Sequence, residues 1–487
     1  MRIAICSAEV APFAKVGGLA DVIGSLPAEL AKLGHDVVVM MPAYGMVIDD
    51  PAVPTRLLSD DVLVRVSAYR LVRARVWETV RDGVRHWLIE GDGAFSRVRE
   101  SASVYTMHRD DYLFFTRAVV EVCETLNWIP EVVSSHDWHM GLISAVIRTD
   151  SSELWNSVGT TFTIHNFSYQ GEFGFDTLDA VGLSHDLYNP DQLETFGTVN
   201  FLKAGCAMSN QVNTVSPTYA HEIQTPEYGC RLEGLMVYLA GHNRLRGILN
   251  GIDVQRHDPA TDPELAAHFS REKLDGKRQC RLALIKELGL NLSDTEPLLA
   301  VISRLSNQKG FDLMLEASSQ FLAEGAGWVV LGQGDPRAAE ELRKLEALHP
   351  GKVRFIDAFD PQLAQRIYGG SDIFLMPSSF EPCGLGQMFA MRYGTVPVVR
   401  KTGGLADTVT DEVNGFVFEH RSSDELARCT ARAIKAFRNV KVWQPLMRQA
   451  MSEDFSWATS AGQYVAMFHD AIRSQLSVAQ NNPGVTS

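Results

Sequence analysis

The segment Lys15-Val16-Gly17-Gly18-Leu19-Ala20-Asp21 returns near the other end of the chain as Lys401-Thr402-Gly403-Gly404-Leu405-Ala406-Asp407, changed only at its second position. Each copy follows an apolar, strand-like run and leads into a helical pattern. Glycine lacks Cβ, so its amide can approach a ligand closely. A helix N-terminus adds partial positive charge, and the lysine adds a full one. Such a turn suits phosphate. Alone, either copy reads better as a tight strand-to-helix turn with no ligand; the repeat predicts two similar α/β halves serving one phosphate-bearing ligand.

Other polar clusters also follow apolar runs. Arg304 and Lys309 lie in Ser303-Arg304-Leu305-Ser306-Asn307-Gln308-Lys309-Gly310 after Leu298 to Ile302, where two cations would clamp a diphosphate and neutralise a leaving group. Glu381 lies in Phe380-Glu381-Pro382-Cys383-Gly384-Leu385 after Ile373 to Met376. It reads as an acceptor for sugar hydroxyls or as a favourable charge at a helix start. His136-Asp137-Trp138-His139 and His165-Asn166-Phe167-Ser168-Tyr169-Gln170-Gly171 mix hydrogen-bonding groups with rings, a surface suited to sugar. His136 and His139 have loose metal-ligand spacing, but no cysteine or carboxylate cluster completes a site, and the chain has no D-x-D. No metal or other cofactor is expected.

These clusters need strands to hold them. The first half reads as strand Arg2 to Ser7, helix Leu19 to Leu33 and strand Asp36 to Met41, a β-α-β unit. Residues 62–90 alternate apolar and polar and read as antiparallel additions. A helix from Asp111 to Asn127 and buried strands at Val132 to Ser134 and Thr160 to Ile164 follow. From Leu298 to Val399 short apolar runs alternate with helical patterns, which predicts a parallel sheet covered on both faces. In such domains ligands bind beyond the carboxyl ends of the strands. The fold class is therefore α/β, with two doubly wound domains hinged near Leu249-Asn250-Gly251-Ile252-Asp253. The missing G-x-G-x-x-G disfavours a dinucleotide dehydrogenase.

With 487 residues the chain exceeds one ordinary core. Its 45% hydrophobic and 21% charged composition is that of a soluble globular protein. A formal net charge of −14 argues against nucleic acid or an anionic membrane as partner and demands a locally basic phosphate site. Seven scattered cysteines without C-x-x-C fit a reducing cytoplasm rather than a disulfide framework. No segment has the apolar length of a membrane span, and Glu9 interrupts the short N-terminal run, so no signal peptide is read there.

The chain resembles the bacterial glycogen synthases and plant starch synthases from Arg2 to about Asp470. The carriers are K-V-G-G-L-A-D-V (15–22), H-D-W-H (136–139), H-N-F-S-Y-Q-G (165–171), N-F-L-K-A-G (200–205), N-T-V-S-P-T-Y-A (213–220), L-N-G-I-D (249–253), S-R-L-S-N-Q-K-G (303–310), F-E-P-C-G-L (380–385) and K-T-G-G-L-A-D-T (401–408). The resemblance implies a GT-B fold: two facing Rossmann-like domains, 1–248 on the acceptor side and 249–455 on the donor side, with the active site in the cleft between them. A helix at 456–475 would cross back, ahead of a disordered tail at 476–487. The implied reaction moves glucose from ADP-glucose or UDP-glucose to the non-reducing 4-OH of an α-1,4-glucan with retention of configuration.

By the same resemblance Lys15, Gly18, Arg304, Lys309, Glu381, Cys383, Gly384 and Leu385 bind the donor. Lys15, Asp137, His165 and Glu381 are catalytic, the main-chain carbonyl of His165 lying by the anomeric carbon. Asp21, His139, Asn166 and Gln170 face the acceptor. The sequence departs from the family pattern at Gly93 to Tyr105, where a tyrosine-arginine-glycine-proline-tyrosine loop is usual. It departs also at Gly386 for threonine and Arg231 for glycine. Phe95 is expected to offer ring stacking there, on a more polar and mobile segment. Rival readings are a related transferase with a maltodextrin or small-molecule acceptor, and a weakly active glucan-binding paralogue. The intact Lys15, Asp137, Arg304, Lys309 and Glu381 oppose the second.

Overall fold

The structure is a computed structural model that describes residues 1–91, 93–106, 108–149 and 151–481. Contacts divide the chain into two compact units, Met1–Gly251 with Trp457–Ser487, and Ile252–Ser456.

The first unit is built on a nine-stranded sheet. Its spatial order is Leu245–Gly247, Gln211–Thr214, Gly159–Ile164, Val132–His136, Arg2–Cys6, Asp36–Pro42, Val84–Gly91, Arg70–Arg81, Arg56–Ser67. Only Arg70–Arg81 runs antiparallel to the rest, and it pairs antiparallel with both of its neighbours, Val84–Gly91 and Arg56–Ser67. The central strands are apolar because both faces are covered; Ile3, Ala4, Ile5 and Val133 are wholly buried. From Arg2–Cys6 the chain adds Asp36–Pro42 on one side and later Val132–His136 on the other. The pair Arg2–Cys6 and Val132–His136 is thus the topological switch point, where α/β sheets bind ligands.

One strand corrects the sequence reading. Val84–Gly91 pairs in parallel with Asp36–Pro42 instead of being an antiparallel addition. Its link to that strand runs through two antiparallel strands rather than a crossover helix, so the usual signal of a parallel pair was missing.

Helix Trp457–Asn481 belongs to this unit. Tyr464, Met467, Phe468 and Ala471 join the same core as Ile3 and Ile5. Tyr464 Oη accepts a bond from Asn213 Nδ2 at 3.3 Å, and Asp470 pairs with Arg246 at 2.9 Å. Residues 476–481, expected in the disordered tail, continue this helix. They contain no helix breaker; the first are Pro483 and Gly484. Residues 482–487 lie outside the described residues.

The second unit holds a six-stranded parallel sheet in the order Val353–Ile356, Gly327–Leu331, Leu298–Ile302, Ile373–Met376, Val396–Arg400, Phe416–Phe418. In chain order this is 3-2-1-4-5-6, the Rossmann sequence. Its switch point lies between Leu298–Ile302 and Ile373–Met376. The helices Asp275–Glu287, Ser423–Phe437 and Val440–Ser452 and the strand Phe416–Phe418 were not anticipated. No helix among the described residues is long and apolar enough to cross a membrane. None of the seven cysteines is in a disulfide.

Candidate active site

The second unit's switch point carries a cavity of about 160 Å³ lined by Arg304, Lys309, Ser378, Glu381, Gly384 and Leu385 among others. Arg304 follows the first strand and is exposed, with no ion-pair partner among the described residues. Lys309 ends a 3₁₀ turn, Asn307–Lys309, and its Nζ lies 2.6 Å from Glu381 Oε2. Ser378 Oγ donates to the same oxygen at 3.0 Å. Glu381 is only 6% exposed, so this pairing is what makes its burial tolerable.

Two loops hold the carboxylate in place. Gly310, at φ +73°, passes so close to the Pro377 carbonyl that a Cβ would overlap it. The second copy of the repeated heptad packs against the Glu381 loop. Gly404 N–H donates to Glu381 O at 3.1 Å, and Cβ atoms on Gly403 and Gly404 would overlap the carbonyls of Glu381 and Cys383. Buried Arg400 donates to the carbonyls of Ser378, at 2.7 Å, and Ser379. The glycines of this copy therefore serve close packing, and Lys401 pairs with Glu419 at 3.0 Å, away from the cavity. Cys383 does not line the cavity. It is buried, and its carbonyl accepts from Gln387 Nε2 at 3.2 Å. Gly386, the departure from threonine, does line it.

In the first unit, Glu9 was missed as a site residue. It follows the first strand, is 1% exposed, and its Oε2 accepts the amides of Val16 at 2.6 Å and Gly17 at 2.7 Å. The amides expected to greet a phosphate are thus already taken by the protein's own carboxylate, leaving Gly18 as the next in line. Burial pushes the Glu9 carboxyl upward, against those two bonds. A lone acid in an apolar run, Ala8-Glu9-Val10-Ala11, was the available signal, because a buried charge must find partners. Lys15 pairs with Asp21 at 2.6 Å; both are partly exposed.

Asp137 directly follows strand Val132–His136, in the sharp turn φ +58°, ψ 173°. That conformation is essentially glycine's and persists where the surroundings enforce it. Its Oδ1 accepts the His165 amide at 2.7 Å. Burial raises its carboxyl to about 7, while the amides of His165 and Asn166 pull the other way. A carboxyl raised above its ordinary 3.8 keeps a proton that the unfolded chain releases. Its contribution to stability is full below 3.8 and drains as pH rises through 7. The urea midpoint of the native protein should therefore fall relative to that of Asp137→Asn between pH 5 and 7.5. A constant difference across that range would contradict the shift.

The side chain of His165 is held as well: its Nε2 lies 2.9 Å from His136 Nδ1, and His136 Nε2 lies 3.2 Å from Ser134 Oγ. Burial lowers His165 to about 3 and His136 well below its usual value, so both rings are neutral. His139 stacks on Trp138, centroids 3.9 Å apart, and on Tyr105 at 5.0 Å. Both its ring nitrogens are buried without a partner among the described residues, and burial lowers it to about 3. Asn166 Oδ1 takes the Ser168 amide at 3.0 Å.

Two expected contacts need correcting. Gln170 spends its amide internally, donating to Cys230 O at 2.9 Å and accepting from Asn200 Nδ2 at 2.6 Å, so it braces the loop rather than facing a sugar. Phe95 is wholly buried among the rings of Tyr44, Tyr112, Phe114 and Phe115. The segment expected to be mobile is tied down by Arg97–Asp111 and Arg99–Asp49 pairs. The ring that reaches the sugar-suited cluster is Tyr105. Arg231, at φ +72°, lies over Phe196 at 4.8 Å and pairs with Glu172 at 3.2 Å.

Residues 2–238 match the starch synthase catalytic domain family, and residues 287–439 match glycosyl transferases group 1. The chain is 40% identical to a glycogen synthase of Desulforudis audaxviator, over 97% of each chain. It is also 40% identical to a glycogen synthase of Syntrophotalea carbinolica, over 97% of this chain and 99% of that one. The catalytic domain of starch synthase IV from Arabidopsis thaliana, solved with ADP and acarbose, superposes with a TM-score of 0.88 at 34% identity, covering 97% of this chain and 99% of that one. A sucrose-phosphate synthase from Thermosynechococcus elongatus, at 17% identity and a TM-score of 0.60, shares the fold. Two Rossmann-like α/β units, these catalytic-domain matches and full-length relatives at this identity make one conclusion: the chain belongs to the glycogen and starch synthase family of GT-B glycosyltransferases.

Proposed function

We propose that the chain transfers glucose from ADP-glucose to the non-reducing 4-OH of an α-1,4-glucan, with retention and without a metal or other cofactor, in a reducing cytoplasm. The observation that carries this reading is the convergence of Arg304, Lys309 and Glu381 on one cavity at the second unit's switch point. Arg304, unpaired by any acid among the described residues, offers its fork to a diphosphate. Lys309 adds a second charge there, and Glu381, oriented by Lys309 and Ser378, has its remaining acceptor capacity for glucose hydroxyls. Gly384 and Leu385 shape the wall. In the first unit, a donor phosphate competes with Asp21 for Lys15 and takes the Gly18 amide. Asp137 positions His165, whose carbonyl stabilises positive charge at the anomeric carbon. Asp21, Asn166 and His139 serve the acceptor. The departing diphosphate takes the acceptor's proton, so the two-carboxylate arrangement of a glycosidase is not needed. The ADP and acarbose in the Arabidopsis structure support adenine and a glucan.

The donor is tested by supplying labelled ADP-glucose and UDP-glucose with glycogen and comparing kcat/KM. Preference for the uridine donor would overturn the assignment of the base. Metal independence has its own test. No group of three or more potential ligands stands together among the described residues, and the cations that neutralise the leaving group are side chains. Activity in excess chelator should match the untreated rate. Loss of activity with rescue by Mg²⁺ or Mn²⁺ would refute it.

A further inference from the structure

Ser134, His136 and His165 form a chain of hydrogen bonds leading from the interior of the first sheet to the candidate site. His136 is wholly buried and Ser134 nearly so, while His165 is half-buried. Both rings are neutral, so the hydroxyl and the two imidazoles carry one proton each. The two hydrogen bonds use two of those protons. One is left over at an end of the chain, and only two arrangements exist. In the first, the spare proton sits on Ser134 Oγ, a buried hydroxyl with no other partner among the described residues. In the second, Ser134 donates to His136 Nε2, His136 Nδ1–H donates to His165 Nε2, and the spare proton sits on His165 Nδ1. Buried orphan donors are rare and costly, whereas a spare lone pair on a hydroxyl is tolerated.

We propose that His136 is a positioning residue that fixes His165 as the Nδ1–H tautomer, presenting a donor to a hydroxyl of the transferred sugar. This rests on the reading of His165 as a sugar-side residue. The Asp137 carboxyl group holds the His165 backbone at one side, and His136 locks the ring at the other. The sugar oxygen then meets a donor of fixed direction without a tautomer change on binding.

The first test needs no activity. In protein labelled with ¹⁵N-histidine, long-range ¹H–¹⁵N correlation should show His165 protonated at Nδ1, with its signals assigned by their loss in His165→Gln. An Nε2–H form in the native protein overturns the proposal. In His136→Phe the Nδ1–H form should give way to Nε2–H; persistence of Nδ1–H shows that His136 does not set it. The second test is kinetic. His136→Phe should lower kcat/KM about tenfold, the size of one lost hydrogen bond. With a series of monodeoxyglucose donors, that loss should disappear for one donor alone, the one lacking the bonded hydroxyl. A loss of equal size with every deoxy donor overturns the sugar contact, even with the tautomer as expected. If His136→Phe does not fold, the native tautomer and the deoxy-donor series in His165→Gln decide the same two points.

Discussion

Arg304→Ala should lose about 10²–10³ in kcat while its unfolding midpoint stays at the native value. Its side chain is exposed and forms no ion pair among the described residues, so folding does not depend on it. In the proposed reaction its one task is to meet charge that develops on the departing diphosphate. Lys309→Ala should lose as much in kcat but also destabilise. Its ammonium is the partner of Glu381, which would be left buried with Ser378 alone, at a cost of about 1–3 kcal/mol. Steady-state rates and urea titrations of both variants separate the two roles. Native kcat in either variant would remove that residue from the clamp. An Arg304→Ala protein that unfolds early would show a structural role that the geometry does not contain.

The second large effect concerns Asp137. Asp137→Ala removes the acceptor that fixes the His165 amide and leaves alanine in a backbone conformation suited to glycine. In the proposed reaction a displaced His165 carbonyl misses the anomeric carbon, and misplacement of about 1 Å costs roughly 10² in rate. Asp137→Asn keeps an oxygen for the amide and should retain most of the activity. If asparagine is as damaging as alanine, the charge of Asp137 matters rather than its grip on His165.

Much of this site was legible because the physics that builds it is local. In a parallel sheet the apolar strands announce themselves, and the polar residues just beyond them are the ones that face a ligand. Arg304, Lys309, Glu381, Asp137 and His165 were singled out in that way, and each does lie beyond the carboxyl end of a strand. The relation between Lys309 and Glu381 was not legible, since the two lie on different strand ends and meet only when the sheet forms. Glu9 was overlooked for a different reason: its partners, the amides of Val16 and Gly17, carry no side-chain signature. The repeated heptad was read as two phosphate turns. The second copy instead packs its glycines on the Glu381 loop, and nothing in the repeated letters tells a close approach to a ligand from a close approach to the backbone. Phe95 misled because an aromatic ring in a polar segment looks exposed. Its burial is decided by Tyr44, Tyr112, Phe114 and Phe115, which come from other elements.

The central claim is glucosyl transfer onto the non-reducing ends of an α-1,4-glucan. It is tested most directly by incubating the purified chain with [¹⁴C]ADP-glucose and glycogen, then digesting the recovered polymer with an exo-acting, α-1,4-specific glucanase. The account predicts polymer-bound label that depends on Arg304 and Glu381 and is released completely by the exo-enzyme as labelled maltose. Label that never enters the polymer, or that enters and resists the α-specific enzyme, would contradict it.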